Sequence, residues 1–179
     1  MTSLESEVKD CIRIIPDYPK KGVSFKDLTT LWKDATLMKK TTDALAEHWR
    51  AKGVDKIVGI EARGFIVGAP LAEKLGLGFV PARKAGKLPS KAVRVNYELE
   101  YGKHSLEIHS DGVSKGEKVL IVDDLLATGG TANAVRKLVQ KLGGRVLGFA
   151  FVAELDYLHG RRKLVGYEIQ SLARYDSES

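Results

Sequence analysis

Residues 119–134 read VLIVDDLLATGGTANA. The first four are aliphatic and form an unbroken apolar run, the mark of a short strand covered on both faces. They lead directly into Asp123 and Asp124, then into a loop of small residues, Ala127 to Thr131. A helical pattern follows from Thr131 to Leu142 and closes at Gly143-Gly144. Two like charges at the end of a buried strand are costly without a partner, so their position asks for a function.

In an open α/β sheet ligands bind beyond the carboxyl ends of the strands, which places both carboxylates at a crevice. The loop glycines let the backbone approach a ligand closely. The N–H groups at the helix start offer an anion site with a favourable dipole. Thr128 and Thr131 add hydroxyls. Carboxylates accept hydrogen bonds from hydroxyls but repel phosphate. A ligand with neighbouring hydroxyls and a phosphate a few ångströms away satisfies both parts, and ribose 5-phosphate is such a ligand. Asp123, Asp124, Ala127, Thr128, Gly129, Gly130 and Thr131 are therefore the candidate ribose and 5-phosphate residues. A plain strand end with an aspartate cap and a glycine turn does not account for apolar strand, acid pair, small loop, hydroxyls and helix together. Other phosphate loops do not compete. There is no G-x-x-x-x-G-K-[ST], and Gly76-Leu77-Gly78 lacks the third glycine of a dinucleotide fingerprint.

Working outward, Leu4, Val8, Cys11, Ile12 and Ile15 recur at helical spacing, predicting a first helix that stops at Pro16. Residues 16–32 carry turn residues and no clear period. Asp34 is placed to cap a helix bearing Leu37, Met38, Thr41, Leu45 and Trp49, closed by Gly53. KIVGI (56–60) reads as a buried strand, Phe65 to Leu75 as a helix, and GFVPAR (78–83) as the next strand. Residues 84–94 read as an exposed loop. VNYELEYG and HSLEIHSD form a hairpin about Gly102, and RVLGFAFVAEL (145–155) and YEIQSLARY (167–175) are further strands. The order predicts one α/β domain over residues 1–179: a mainly parallel sheet flanked by helices, with a β-hairpin flexible loop.

The 179 residues suit a single domain. With 44% hydrophobic and 29% charged residues, the chain can bury a core and remain soluble. Its net charge of +6 points to an anionic partner or to a generally basic surface. Cys11 is the one cysteine, so an internal disulfide and a cysteine metal site are excluded and a reducing cytoplasm is expected. The polar start MTSLESEVKD is not read as a signal peptide. Apolar runs such as FIVGAPLA are too short to span a bilayer, so no membrane association is expected. His48, His104, His109 and His159 are scattered, and none has a partner at metal-ligand spacing, so no metal ligand is assigned to the protein.

VLIVDDLLATGGT resembles the phosphoribosyl diphosphate signature of the type I phosphoribosyltransferase family, in the form found in the members that use adenine. PDYPKKGVSFKDLT, VGIEARGFIVGAPLA, RKAGKLP, YELEYG and AELDYLHGRRKL resemble further segments of those enzymes, in the same order. The resemblance implies transfer of the 5-phosphoribosyl group from 5-phospho-α-D-ribose 1-diphosphate to adenine. It also implies a small hood over about residues 1–34, Mg²⁺ bound mainly through substrate, and a homodimer.

The remaining segments gain roles from the same likeness. EARG (61–64) sits between strand and helix, where Arg63 is able to bind a diphosphate and Gly64 permits close backbone approach. On the residues alone an ordinary turn fits as well; the family implies diphosphate binding, often with a non-proline cis peptide. Arg83, Lys84, Lys87, Lys91 and Arg94 form a run without acids, which by itself is equally a solvated loop or an RNA-binding patch. Thin aromatic interleaving counts against nucleic acid. The likeness makes Arg83, Lys84, Lys87 and Tyr101 diphosphate residues, some of them acting on a neighbouring subunit.

Glu98 and Glu100 share one face of an extended strand, a pattern that also suits a solvent face. The likeness makes Glu100 the catalytic acid/base near the N7/N9 edge of the purine. It assigns GVSFKD (22–27) to base reading, with main-chain groups of Val23, Ser24 and Lys26, Phe25 stacking and Leu125 on the other ring face. Lys26 stands where the family often has arginine. Two other readings have discriminating tests: transfer to another base, which base competition separates, and a regulator that senses phosphoribosyl diphosphate while binding nucleic acid, which salt-sensitive binding without turnover separates.

Overall fold

The computed structural model describes residues 2–99 and 102–178. Helix α1 (Leu4–Cys11) is capped by Ser3, whose side chain accepts from Ser6 N. It ends four residues earlier than the apolar spacing predicts. Arg13–Ile15 instead form strand β1, which pairs antiparallel with β2 (Phe25–Asp27). Ile14 and Ile15 are therefore strand residues. The helical spacing of Ile12 and Ile15 is coincidental, because a three-residue strand leaves no period to read. The short helix α2 (Thr29–Trp32) completes this N-terminal unit. Asp34 caps α3 (Ala35–Trp49) as expected, accepting from Leu37 N at 2.9 Å.

Then come β3 (Lys56–Ile60), α4 (Arg63–Leu75), β4 (Gly78–Lys84), β5 (Ala92–Leu99), β6 (Gly102–His109), β7 (Lys118–Leu126), α5 (Gly130–Lys141), β8 (Arg145–Leu155) and β9 (Glu168–Tyr175). Among the described residues the main sheet runs β5-β6-β4-β3-β7-β8-β9. Strands β4, β3, β7, β8 and β9 are parallel; β6 and β5 add an antiparallel edge. The sheet is thus mainly parallel and flanked by helices, as the order of elements implied. The predicted exposed loop at 84–94 is shorter than expected, since Lys84 belongs to β4 and Ala92 to Arg94 to β5.

Val119, Leu120, Ile121 and Val122 have no exposed surface, which explains their uninterrupted apolar character. Leu120 and Val122 join the core under α1, α3 and α4, while Val119 and Ile121 join the core under α5. Strand β7 is longer than its aliphatic run. It pairs with β3 only through Val122 but with β8 through Leu126. Asp123 and Asp124 therefore lie inside the strand, at the point where one neighbour has stopped. Among the described residues no helix is long and apolar enough to cross a membrane.

Close packing joins α3 to the sheet at Gly148 of β8. A Cβ there would lie 2.3 Å from Trp49 Cη2 and 2.6 Å from the Glu168 carbonyl oxygen. Overpacked cores lose about 1–3 kcal/mol. Gly148→Ala is expected to lower unfolding stability in urea by that amount.

Candidate active site

The carboxyl end of β7 opens into a cavity of about 240 Å³. Its lining includes Arg63, Asp123, Leu125, Ala127, Thr128, Gly129, Gly130 and Thr131. The ribose and phosphate residues expected from sequence are thus brought together, with one exception. Asp124 does not line the cavity, because successive strand side chains point to opposite faces. It is 1% exposed and buried behind the site.

Arg63 links the two faces. Its Nε lies 3.0 Å from Asp124 Oδ2, within ion-pair range, yet that oxygen has no aligned hydrogen bond. Its guanidinium carbon also stands 5.7 Å from the centre of the Phe25 ring. Asp123 Oδ1 accepts from the Asp124 backbone N–H at 2.9 Å. Burial first, and then the Asp124 charge, pushes the Asp123 carboxyl well above the ordinary aspartate value. Burial also raises Asp124, against the opposing pull of Arg63.

Gly64 explains how α4 comes so close. A Cβ on it would lie 2.8 Å from the Val122 carbonyl oxygen and 2.9 Å from Asp123 Oδ1. The helix start therefore packs against the open side of β7 with nothing between. The Glu61–Ala62 peptide before it is cis, the feature the family resemblance implied for this loop.

The loop that begins at Ala127 reaches α5 through Gly129, whose φ of +74° is the left-handed conformation that glycine adopts without steric cost. No side chain caps α5, so the N–H groups of its first turn remain available to an anion at the cavity wall.

Arg83, Lys84 and Lys87 do not line the cavity. They form its neighbouring rim, organised by Glu61, a residue the sequence reading passed over. Glu61 accepts from Arg83 Nη2 at 2.6 Å and Nε at 3.2 Å, and from the Lys84 backbone N–H at 2.8 Å. Arg83 Nη1 donates to the Lys87 carbonyl at 3.0 Å. Hydrogen bonding to Arg83 holds the Glu61 carboxyl below its ordinary value. Glu107, likewise overlooked, anchors the far end of the loop. It is 6% exposed and accepts from Gly86 N at 2.9 Å and Arg94 Nε at 2.7 Å. Arg94 is thus committed to an internal ion pair. Neither Glu61 nor Glu107 lies beside the basic run in sequence, so no local pattern marks them; strand pairing brings them to it.

Val23, Ser24, Phe25 and Lys26 lie outside the cavity lining, in and before β2. Phe25 meets Tyr18 edge-on at 5.2 Å. Lys26 is 1% exposed and faces the other way. Its Nζ donates to Ser24 Oγ at 3.2 Å and to the Glu178 carbonyl at 3.1 Å, over the Tyr175 ring. The Lys26 side chain thus points into the C-terminal residues. Glu100 and Tyr101 lie outside the described residues. Among the described residues no three His, Cys, Asp or Glu side chains are grouped as metal ligands.

The raised carboxyls carry a definite sign. Their folded values lie above the unfolded ones, so they favour the fold at low pH and that contribution is lost as pH rises through the folded value. Asp123→Asn is expected to melt higher than the parent at about pH 7.5, with the gap closing towards about pH 4. In the same variant, loss of the charged acceptor is expected to weaken phosphoribosyl diphosphate binding about 10- to 100-fold. Calorimetric melting and titration check both.

Comparison with known proteins agrees with this arrangement. The phosphoribosyl transferase domain family matches residues 33–172. The chain is 57% identical over 169 residues to the adenine phosphoribosyltransferase of Clostridium perfringens, covering 94% of this chain and 98% of that one. The crystal structure of the adenine phosphoribosyltransferase from Thermoanaerobacter pseudethanolicus superposes with a TM-score of 0.93 at 53% identity, covering 97% of this chain and 100% of that one. The Saccharomyces cerevisiae adenine phosphoribosyltransferase, solved with an imino-altritol bisphosphate and adenine, gives 0.90 at 40% identity, covering 94% and 98%. The acid pair, the phosphate loop and the whole sheet around them place this chain in the adenine phosphoribosyltransferase family of the phosphoribosyl transferases.

Proposed function

We propose that the cavity at the end of β7 binds the ribose 5-phosphate part of 5-phospho-α-D-ribose 1-diphosphate and that adenine is the acceptor, giving AMP and diphosphate. The observation that carries this reading is one wall holding both chemistries. Asp123 offers a carboxylate for ribose hydroxyls, and residues 127–131 offer backbone donors at a helix start for the 5-phosphate. The bond from C1′ to the diphosphate oxygen breaks, the bond from C1′ to adenine N9 forms, and the N9 proton departs.

Each group has a physical task. Asp123 holds the ribose, and Asp124 acts from behind by holding Arg63. On diphosphate binding Arg63 exchanges this loosely aligned partner for the anion, joined by Arg83, Lys84 and Lys87 on the rim. Adenine is read by main-chain groups of Val23, Ser24 and Lys26 and stacks between Phe25 and Leu125. A backbone carbonyl and an N–H suit its 6-amino donor and N1 acceptor. Glu100 manages the purine proton and Tyr101 covers the site; both roles rest on the family pattern. The substrates bring their own nucleophile and leaving group, so positioning and electrostatics carry the acceleration.

Mg²⁺ belongs to the same reading. The oxygens beside the cavity, the Asp123 carboxyl and the threonine hydroxyls, suit a hard cation that takes most of its ligands from diphosphate and water. Such an ion would neutralise the leaving group. A homodimer and a cytoplasmic location are inferred from family membership, with part of the basic rim serving the partner's site.

Purified protein with Mg²⁺ and phosphoribosyl diphosphate is expected to form product from adenine, and not from hypoxanthine, guanine or xanthine run in parallel. Turnover of another base would discard the assignment of residues 23–26. Glu100→Gln is expected to lower kcat about 10²- to 10⁴-fold with little change in phosphoribosyl diphosphate affinity.

A further inference from the structure

Behind the phosphate loop lies a further buried carboxylate. Glu154, near the end of β8, is 1% exposed. It stands in register with Leu126 of β7 and Arg174 of β9. Arg161 forks onto it, Nε to Oε1 at 2.6 Å and Nη2 to Oε2 at 2.7 Å. Ser171 Oγ donates to Oε2 at 2.6 Å, and Arg174 Nε stands 3.9 Å away. A buried ion pair is a poor source of net stability compared with apolar packing, but a two-point fork specifies geometry closely.

The geometry it specifies is that of Gly160, the residue before Arg161. His159 enters the turn at φ +53°, and Gly160 is buried against the phosphate loop. A Cβ on Gly160 would lie 2.2 Å from the Ala127 carbonyl oxygen and 3.1 Å from Gly129 N. A Cβ on Gly129 would in turn lie 2.4 Å from the Gly160 carbonyl oxygen. The two backbones touch with no side chain between them. Any displacement of residue 160 is transmitted directly to residues 127–129, which line the cavity.

We propose that Glu154 and Arg161 are positioning residues. Their fork holds Gly160 as a rigid backing for the 5-phosphate loop, and so sets affinity for the phosphoribosyl substrate without touching it. This rests on reading the cavity as the ribose 5-phosphate site. The adenine segment, residues 22–27, is not part of this backing, so the two substrates should respond differently.

The test uses the full chain and three variants, Glu154→Gln, Arg161→Lys and Gly160→Ala. The first two remove the fork while keeping size or charge. The third leaves the fork intact and presses on the loop, which guards against a fork variant that fails to fold. Ribose 5-phosphate binding by calorimetry, KM for each substrate, and melting temperature are measured together. The expected result is a rise of about 10- to 100-fold in KM for phosphoribosyl diphosphate and in the ribose 5-phosphate Kd. KM for adenine at saturating phosphoribosyl diphosphate should stay within about twofold, because among the described residues the polar contacts of Glu154 and Arg161 go to Ile169, Ser171 and Arg174 and not to residues 22–27. Equal loss for both substrates, or unchanged ribose 5-phosphate binding in folded variants, overturns the proposal. A parent protein that binds no ribose 5-phosphate overturns the cavity assignment as well, so the two failures are distinguishable.

Discussion

The site depends on a mismatch in strand length. Strand β3 pairs with β7 as far as Val122, whereas β8 continues beside it to Leu126. The last residues of β7 are thus held in strand geometry from one side and left open on the other. Asp123 and Asp124 sit at that step, and the start of α4 fills the open flank through Gly64. Burying two adjacent carboxyls there is unfavourable, as the upward displacement of both titrations records. Arg63 offsets part of that cost from α4, so this arginine and the acid pair are mutually dependent.

A second theme is the use of acids as anchors in a chain of net charge +6. Glu61, Glu107 and Glu154 each take an arginine fork or ion pair, and Glu61 and Glu107 add a backbone N–H. Each fixes a segment bordering the cavity or its basic rim. The positive charge is thereby arranged rather than merely abundant. Arg83 is held at the rim, Arg94 is paired with Glu107 although its side chain stays exposed, and Lys84 and Lys87 are exposed as well.

Residues 22–27 are organised from the far end of the chain. Strand β2 carries Phe25 towards Arg63, while the Lys26 side chain turns into a buried niche closed by Tyr175 and the Glu178 carbonyl. Burial lowers the Lys26 titration, against the opposing pull of the Glu178 charge. The main chain at Phe25 and Lys26 is held by pairing with β1, and the Lys26 side chain ties the strand to the C-terminal residues.

The chain's own pattern determined the parallel sheet, the phosphate loop and the acid pair. Each is a local signal: an apolar run covered on both faces, glycines at a helix start, charges where a strand leaves its core. Asp34 as a cap and Gly129 as a left-handed turn belong to the same class. Tertiary structure alone decided that Asp124 faces away from the cavity, that Ile14 and Ile15 leave the first helix for a strand, and that the Lys26 side chain turns towards Tyr175 and the Glu178 carbonyl. It alone brought the Gly160 backbone against Gly129 across thirty-one residues of sequence. The physical reason is common to all four. Strand alternation, short antiparallel pairing and backbone-to-backbone contact depend on which distant segment arrives alongside, and no period within one segment encodes its neighbour.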